Sequence, residues 1–199
     1  MRAWVDESSA NRGETTQEYL VGAAIVDAED QDSIREELRP LLLPGQIKLH
    51  WTDESERRRR RIVDAIVAAG PMIVVVAHLS ERQRKTERFR RKCLEMLYYE
   101  LAAAEVLDVT LESRSADQDA KDRAHIVALQ SQGLDRGVRI HHQRGGDEPL
   151  LWIPDAVLGS INAAHLGYSA HLEALQSTIL LMERTPESLT PSGWASERP

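Results

Sequence analysis

Three acidic residues stand where secondary structure could carry them to one point. Asp6 follows the apolar Ala3-Trp4-Val5 in RAWVDESS (Arg2–Ser9), Glu112 lies near the end of VTLES (Val109–Ser113), and Asp155 follows Pro154 in WIPDAVLGSI. Neighbouring strands lie about 5 Å apart, so Asp6 and Glu112 on adjacent strands would fall within reach of one divalent cation. Gathered carboxylates repel one another, and a metal relieves that repulsion. Ligation by oxygen alone favours Mg2+ or Mn2+. Two such ions, ~3.5 to 4 Å apart, can activate water and stabilise the leaving oxygen of a phosphodiester. Each residue also has a plainer reading: Asp6 as a loop entry, Glu112 as a partner of Arg114, and Asp155 as a complement to a helix dipole.

His50, in QIKLHW (Gln46–Trp51), is a candidate for proton transfer or phosphate positioning, against a structural role between Leu49 and Trp51. His141 and His142 would point to opposite faces of a strand, which disfavours a shared zinc site. Glu7 and Asp119 are candidates for a fourth carboxylate. The chain contains no Gly-x-x-x-x-Gly-Lys loop, Gly-x-Gly-x-x-Gly turn or Gly-x-Ser-x-Gly elbow, which removes the main support for nucleotide-binding and serine-hydrolase chemistry. Cys93 is the only cysteine, so it rules out an intrachain disulfide and suits a reducing cytoplasm. It reads as core filler.

The formal net charge of -7 argues against a strongly basic nucleic-acid binder, but the charge is unevenly spread. Between positions 57 and 92 there are twelve Lys or Arg and three Asp or Glu, which makes a positive patch on an acidic body. Arg57, Arg58, Arg61, Arg82, Arg84, Lys85, Arg88 and Arg91 are the candidates for contact with nucleic-acid phosphates. The same cations could form a solvated helix face, or meet an acidic partner or a second copy of the chain. No apolar run reaches the ~18 to 20 residues of a membrane span, and the acidic N-terminus does not read as a secretory leader. The expected location is cytoplasmic.

The elements that must position these residues read as α/β. The 199 residues suit one domain over residues 1–183, with a Pro/Ser-rich, disordered tail over 184–199. Strands are expected at RAWVDESS, Tyr19–Val26, Gln46–Trp51, Pro71–Leu79, Val109–Ser113 and Gly137–Gln143. Helices are expected at Asp30–Leu43, from Thr52-Asp53 to Ala69, from Ser80 to about Leu107, from Ser115 to Gly133, with Pro154 in the first turn of one running to Gly167, and at His171–Met182. Asp53-x-x-Glu56, Ser80-x-x-Gln83 and Ser115-x-x-Gln118 have capping-box spacing. Strands that then alternate with helices predict a mixed sheet covered on both faces.

VDES, KLHW, VTLES and PLLWIPDAVLGSI, in this order from Trp4 to about Leu166, resemble a bacterial family designated domain of unknown function 3800, within the RNase H-like superfamily. The resemblance implies an RNase H-like central mixed sheet flanked by helices. It also implies that an acid on the first strand, one on a later central strand and one on the last core helix gather round divalent metal. These map to Asp6, Glu112 and Asp155. Gly159, one turn after Asp155, would let that helix approach the sheet. Relatives often carry Glu at the position of Lys48, and Asp at that of Glu112. The function implied is a metal-dependent nuclease, acting on RNA or structured nucleic acid rather than free duplex DNA. The alternative is a non-catalytic nucleic-acid-binding or protein-interaction module.

Overall fold

The structure, a computed structural model, describes residues 1–190. Strands β1 (Arg2–Asn11) and β2 (Thr16–Val26) form an antiparallel hairpin turned at Gly13, whose φ of +135° suits a residue without Cβ. β3 (Met72–Glu81) continues the meander antiparallel to β2. β4 (Asp108–Glu112) returns parallel to β1, and β5 (Arg139–Gln143) runs parallel to β4. β6 (Ile179–Arg184) is parallel to β3 at the far edge. The sheet order is β5-β4-β1-β2-β3-β6.

Among the described residues, six α-helices cover the sheet: α1 (Gln31–Leu38), α2 (Glu56–Ala69), α3 (Glu87–Ala103), α4 (Ala116–Ser131), α5 (Trp152–His165) and α6 (Ala170–Leu175). Alternation along the central strands divides the core in two. Trp4, Leu20 and Ala24 pack with α1, α2 and α5, while Val5, Val21 and Ala23 pack with α3 and α4. Because both faces are covered, β2 and β3 are apolar almost throughout rather than alternating. The fold is thus α/β, as expected, with a central mixed sheet and helices on both faces. Among the described residues, no helix is long and apolar enough to cross a membrane. Cys93 is fully buried, and desolvation pushes its thiol up to about 12, as core filler requires.

Several expected elements differ. β1 does not end at its acids but runs on to Asn11, which places Asp6 and Glu7 in mid-strand. Gln46–Trp51 is not a strand. It is an irregular loop leading into a 3₁₀ turn, Trp51–Asp53, and α2 starts only at Glu56 after Ser55. β3 takes up Ser80 and Glu81, so α3 begins at Glu87 rather than Ser80. The Ser115–Gln118 capping box does form. The expected helix at His171–Met182 stops at Leu175 and gives way to β6, because the edge of β3 offers backbone partners to the Ile-Leu-Leu-Met run. A register shift there sends Ile179 and Leu181 to opposite cores, a pattern that apolar spacing alone reads as a helix stripe. Residues 185–190, expected in the tail, include hydrogen bonds from Thr185 N to Ala77 O (2.9 Å) and from Leu189 N to Leu79 O (2.8 Å). The rest of that expected tail, 191–199, lies outside the described residues.

Gly22 of β2 lies directly opposite Asp6. A Cβ there would stand 3.0 Å from Leu158 Cδ2, so the bare backbone is what lets α5 close on the sheet beside Asp6. The Gly22→Val substitution is expected to destabilise the fold by about 1–3 kcal/mol through overpacking. Urea denaturation measures this, and an unchanged midpoint would contradict the close approach.

Candidate functional site

Asp6 and Glu7 are neighbours on a central strand, so their side chains go to opposite faces of the sheet. Asp6 shares the face of Trp4, on the α5 side, and Glu7 faces α3 and α4. Parallel pairing of β1 with β4 runs as far as Val5 opposite Leu111. Asp6 and Glu112 are the next residue on each strand, side by side where the ladder ends. Asp155 comes from the first turn of α5, which Pro154 helps to begin. The expected three carboxylates therefore arise from β1, β4 and α5.

The loop before α2 brings a cation and two hydrogen-bond donors to them. Lys48 Nζ donates to Glu112 Oε1 at 2.6 Å. His50 Nδ1 lies 3.0 Å from Asp155 Oδ1, and the Trp51 backbone N–H donates to Asp155 Oδ2 at 2.7 Å. Desolvation, then the charges of Asp155 and Glu112, push Asp6 up to about 8, against the Glu7 N–H and Lys48. Asp155 is also raised, chiefly by burial, although the Trp51 N–H and His50 oppose this. For Lys48, burial works against the charge, but Glu112 and then Asp6 and Asp155 outweigh it and hold the ammonium above its ordinary value. One ammonium faces three carboxylates. The site remains short of positive charge.

Side chains of α2 hold this irregular loop. Arg58 bonds Glu54, the Leu41 carbonyl (2.6 Å) and Gln46 (3.4 Å), so it belongs to the loop's scaffold rather than to an open nucleic-acid surface. Arg59 donates to the Trp51 carbonyl at 3.1 Å, with its guanidinium 5.2 Å from the Trp51 ring centroid. Trp51 lies against Gly159, where a Cβ would overlap the indole. Gly159 thus makes room for Trp51, and through it for the N–H on Asp155, rather than for the sheet as expected. Gly145, near Lys48 and Glu112, went unnoticed in the sequence. A Cβ there would come within 2.6 Å of Glu112 Oε1 and 3.0 Å of Lys48 Cδ. Trp152 Nε1 fixes Gly145 by donating to its carbonyl at 2.6 Å.

The other face carries a second charged cluster. Arg90, with a side chain 2% exposed, bonds Glu7 and both oxygens of Asp122 (2.5 and 2.9 Å). Arg114 reaches Glu87 (3.2 Å) and Asp122 (3.4 Å), and its backbone N–H donates to Asp119 at 3.0 Å. Neither Glu7 nor Asp119 is therefore a fourth member of the Asp6 site, because the sheet separates them from it. Among the described residues, Asp119, Asp122 and His142 are the group of three possible metal ligands whose ligand atoms lie mutually within 4.8 Å. Asp6, Glu112 and Asp155 do not form such a group. Asp122 is nevertheless already charge-compensated: despite the opposing effect of burial, His142 and Arg90 hold its carboxyl well below the usual range.

Of the remaining cations, Arg57 and Arg61 are exposed on α2, on the Asp6 side of the sheet. Arg82, Arg84, Lys85, Arg88 and Arg91 are exposed around the start of α3, which packs on the opposite side. The basic stretches do not form one face.

No protein-family model and no curated protein matches this chain. It is similar to a chain of the PCNA:RNase HII complex from Archaeoglobus fulgidus, with a TM-score of 0.41, 13% identity, and coverage of 87% of this chain and 76% of that one. It is also similar to a mutant protein of Bst-RNase HIII (TM-score 0.36, 14% identity, 88% and 53% covered). A third is Bst-RNase HIII in complex with Mn2+ (TM-score 0.36, 13% identity, 88% and 53% covered). The chain spans about half the length of the two RNase HIII chains.

The two clusters should respond oppositely to loss of an acid. The Asp122→Ala substitution leaves Arg90 buried without its main partner and should cost about 3–5 kcal/mol. Asp6→Asn removes repulsion and should leave stability unchanged or raised in chelator. Asp6 binds its proton more tightly folded than unfolded, so wild-type stability should fall as pH rises from the usual carboxylate range to about 8. Asp6→Asn should flatten that slope. Urea denaturation of the three proteins across this pH range reads both effects.

Proposed function

We propose that this chain is a divalent-metal-dependent nuclease that hydrolyses phosphodiesters, with Asp6, Glu112 and Asp155 as ligands of Mg2+ or Mn2+. The observation that carries the reading is the convergence of three carboxylates from three elements on a single ammonium. Lys48 Nζ, 2.6 Å from Glu112 Oε1, supports reading the space beside Glu112 as one that takes a cation. With one ammonium for three carboxyl groups, Asp6 is pushed up to about 8 by burial, Asp155 and Glu112. An all-oxygen donor set of this kind suits a hard divalent ion. Such an ion, once bound, supplies charge stabilisation at the phosphoryl group and activation of water.

The chain's own residues do the positioning. Trp51 N–H and His50 fix both oxygens of Asp155, which sets the carboxylate plane before any ligand arrives. With Nδ1 engaged by Asp155, Nε2 is the ring nitrogen of His50 left to hold or release a proton at the substrate. Its side chain is 45% exposed, open enough for that role. Arg57 and Arg61, on the same side of the sheet, would meet the phosphates of RNA or a structured hybrid. The cations around α3 would serve a strand that continues past the sheet, an acidic partner, or a second copy. The same proposal includes membership of bacterial family 3800 in the RNase H-like superfamily, a cytoplasmic location, and a single domain that runs past the expected 183, since Thr185 and Leu189 still bond to β3.

A second reading is favoured by one observation. The Lys48–Glu112 ion pair supplies a cation of the chain's own, as a non-catalytic nucleic-acid-binding module would need to keep this fold without metal.

The test is cleavage of labelled RNA, RNA–DNA hybrid and DNA with Mn2+ or Mg2+ by wild type, Asp6→Asn and Asp155→Asn. Metal-dependent cleavage should fall by more than about 100-fold in both variants, and by at least roughly 10–100-fold in His50→Ala, which loses the partner that orients Asp155 together with a proton carrier at the substrate. Equal rates in all four proteins would sink the nuclease reading. Salt-dependent binding without cleavage would favour the module.

A further inference from the structure

We infer that Lys48 is a built-in counter-cation of the carboxylate site, displaced when a divalent ion binds, and so the residue that sets how tightly the site takes metal. The inference rests on the metal-site reading above and deepens it. Lys48 Nζ lies 2.6 Å from Glu112 Oε1, and the charges of Asp6 and Asp155 also hold the ammonium. It is therefore bonded directly to one of the three ligands and attracted by the other two. A hard divalent ion takes carboxylate oxygens at roughly 2.0–2.6 Å, so it would contend with the ammonium for Glu112 Oε1. A divalent and a monovalent cation crowded into the same half-buried group would also repel each other.

The surroundings allow this exchange. The Lys48 side chain is 34% exposed and that of Glu112 23%, so the ammonium has a way out to water. Its four-carbon stem is flexible. Glu112, freed of the ammonium, keeps its place at the end of β4 as a ligand. Gly145, having no side chain, leaves room for this pairing: a Cβ there would lie 3.0 Å from Lys48 Cδ and 2.6 Å from Glu112 Oε1. Replacing one positive charge by two also brings three carboxylates closer to neutrality. The exchange is balanced in kind: one cation leaves the carboxylates and another enters, with no covalent step. The released ammonium then stands at the mouth of the site, where an incoming phosphate could meet it.

The test is direct Mn2+ binding to the full chain, by electron paramagnetic resonance and calorimetry, for wild type, Lys48→Met and Asp6→Asn. Lys48→Met should bind Mn2+ at least about tenfold more tightly than wild type, a change of ~1.4 kcal/mol, and Asp6→Asn should lose binding. Amine-selective labelling read by mass spectrometry should show Lys48 in wild type becoming severalfold more reactive as Mn2+ is added. Lys48→Gln repeats the affinity comparison should the methionine variant fold poorly. Unchanged or weaker binding in the Lys48 variants, with binding still lost in Asp6→Asn, would overturn the role of Lys48 while the metal site stands. No Mn2+ binding by folded wild type or Lys48 variants would remove the metal site itself, and this inference with it.

Discussion

A strand buried on both sides cannot carry two adjacent carboxylates unless each face supplies its own counter-charge. Asp6 and Glu7 impose that condition, and the polar architecture of the molecule follows from it. Behind the sheet, Glu7 meets Arg90 and Arg114, which also bind Asp122 and Glu87. In front, Asp6 faces two more acids and a single lysine. The back face is neutralised and works as structure. The front face has less compensation, one lysine for three carboxyl groups, and Asp6 there is pushed up to about 8 by burial and its acidic neighbours.

The two faces also differ in how they are held. The back cluster joins regular elements, β1, α3 and α4, through buried guanidinium contacts. The front cluster depends on a loop with no ladder of its own. That loop is pinned by Arg58 and Arg59 below, by Trp51 against Gly159, and by the turn around Gly145. Arg35 secures this turn by bonding Glu148 at 2.7 Å while lying over Trp4. A rigid sheet thus presents Asp6 and Glu112, and an irregular but well-bonded segment delivers Lys48 and His50 to them.

Much of the fold could be read in the sequence where local pattern and final environment agree. The continuous apolar runs of β2 and β3, the Ser115 capping box and Pro154 in the first turn of α5 are of this kind. Gln46–Trp51 misleads because its apolar–polar alternation imitates a strand, whereas its backbone is supported by distant arginine side chains that no local window contains. β6 misleads because a bulge spreads its apolar residues over both cores. The three acids were legible as candidates, but Lys48 appeared only as a departure from relatives, and its bond to Glu112 spans 64 positions. Arg90 had a readable signal that was missed. It shares the spacing of Leu94, Leu97 and Leu101 on the buried stripe of α3, which marks it as interior within an otherwise exposed basic run.

The Glu7 backbone N–H donates to Asp6 Oδ1 at 2.7 Å, so one peptide unit belongs to both clusters. Anyone transplanting the three carboxylates to another sheet would have to bring the hidden arginine lattice with them. Without Arg90 and its partners behind it, the half-buried Glu7 carboxylate would be left without its counter-charge, and a graft copied only from the visible mouth of the site would carry the right residues on a strand that packs poorly.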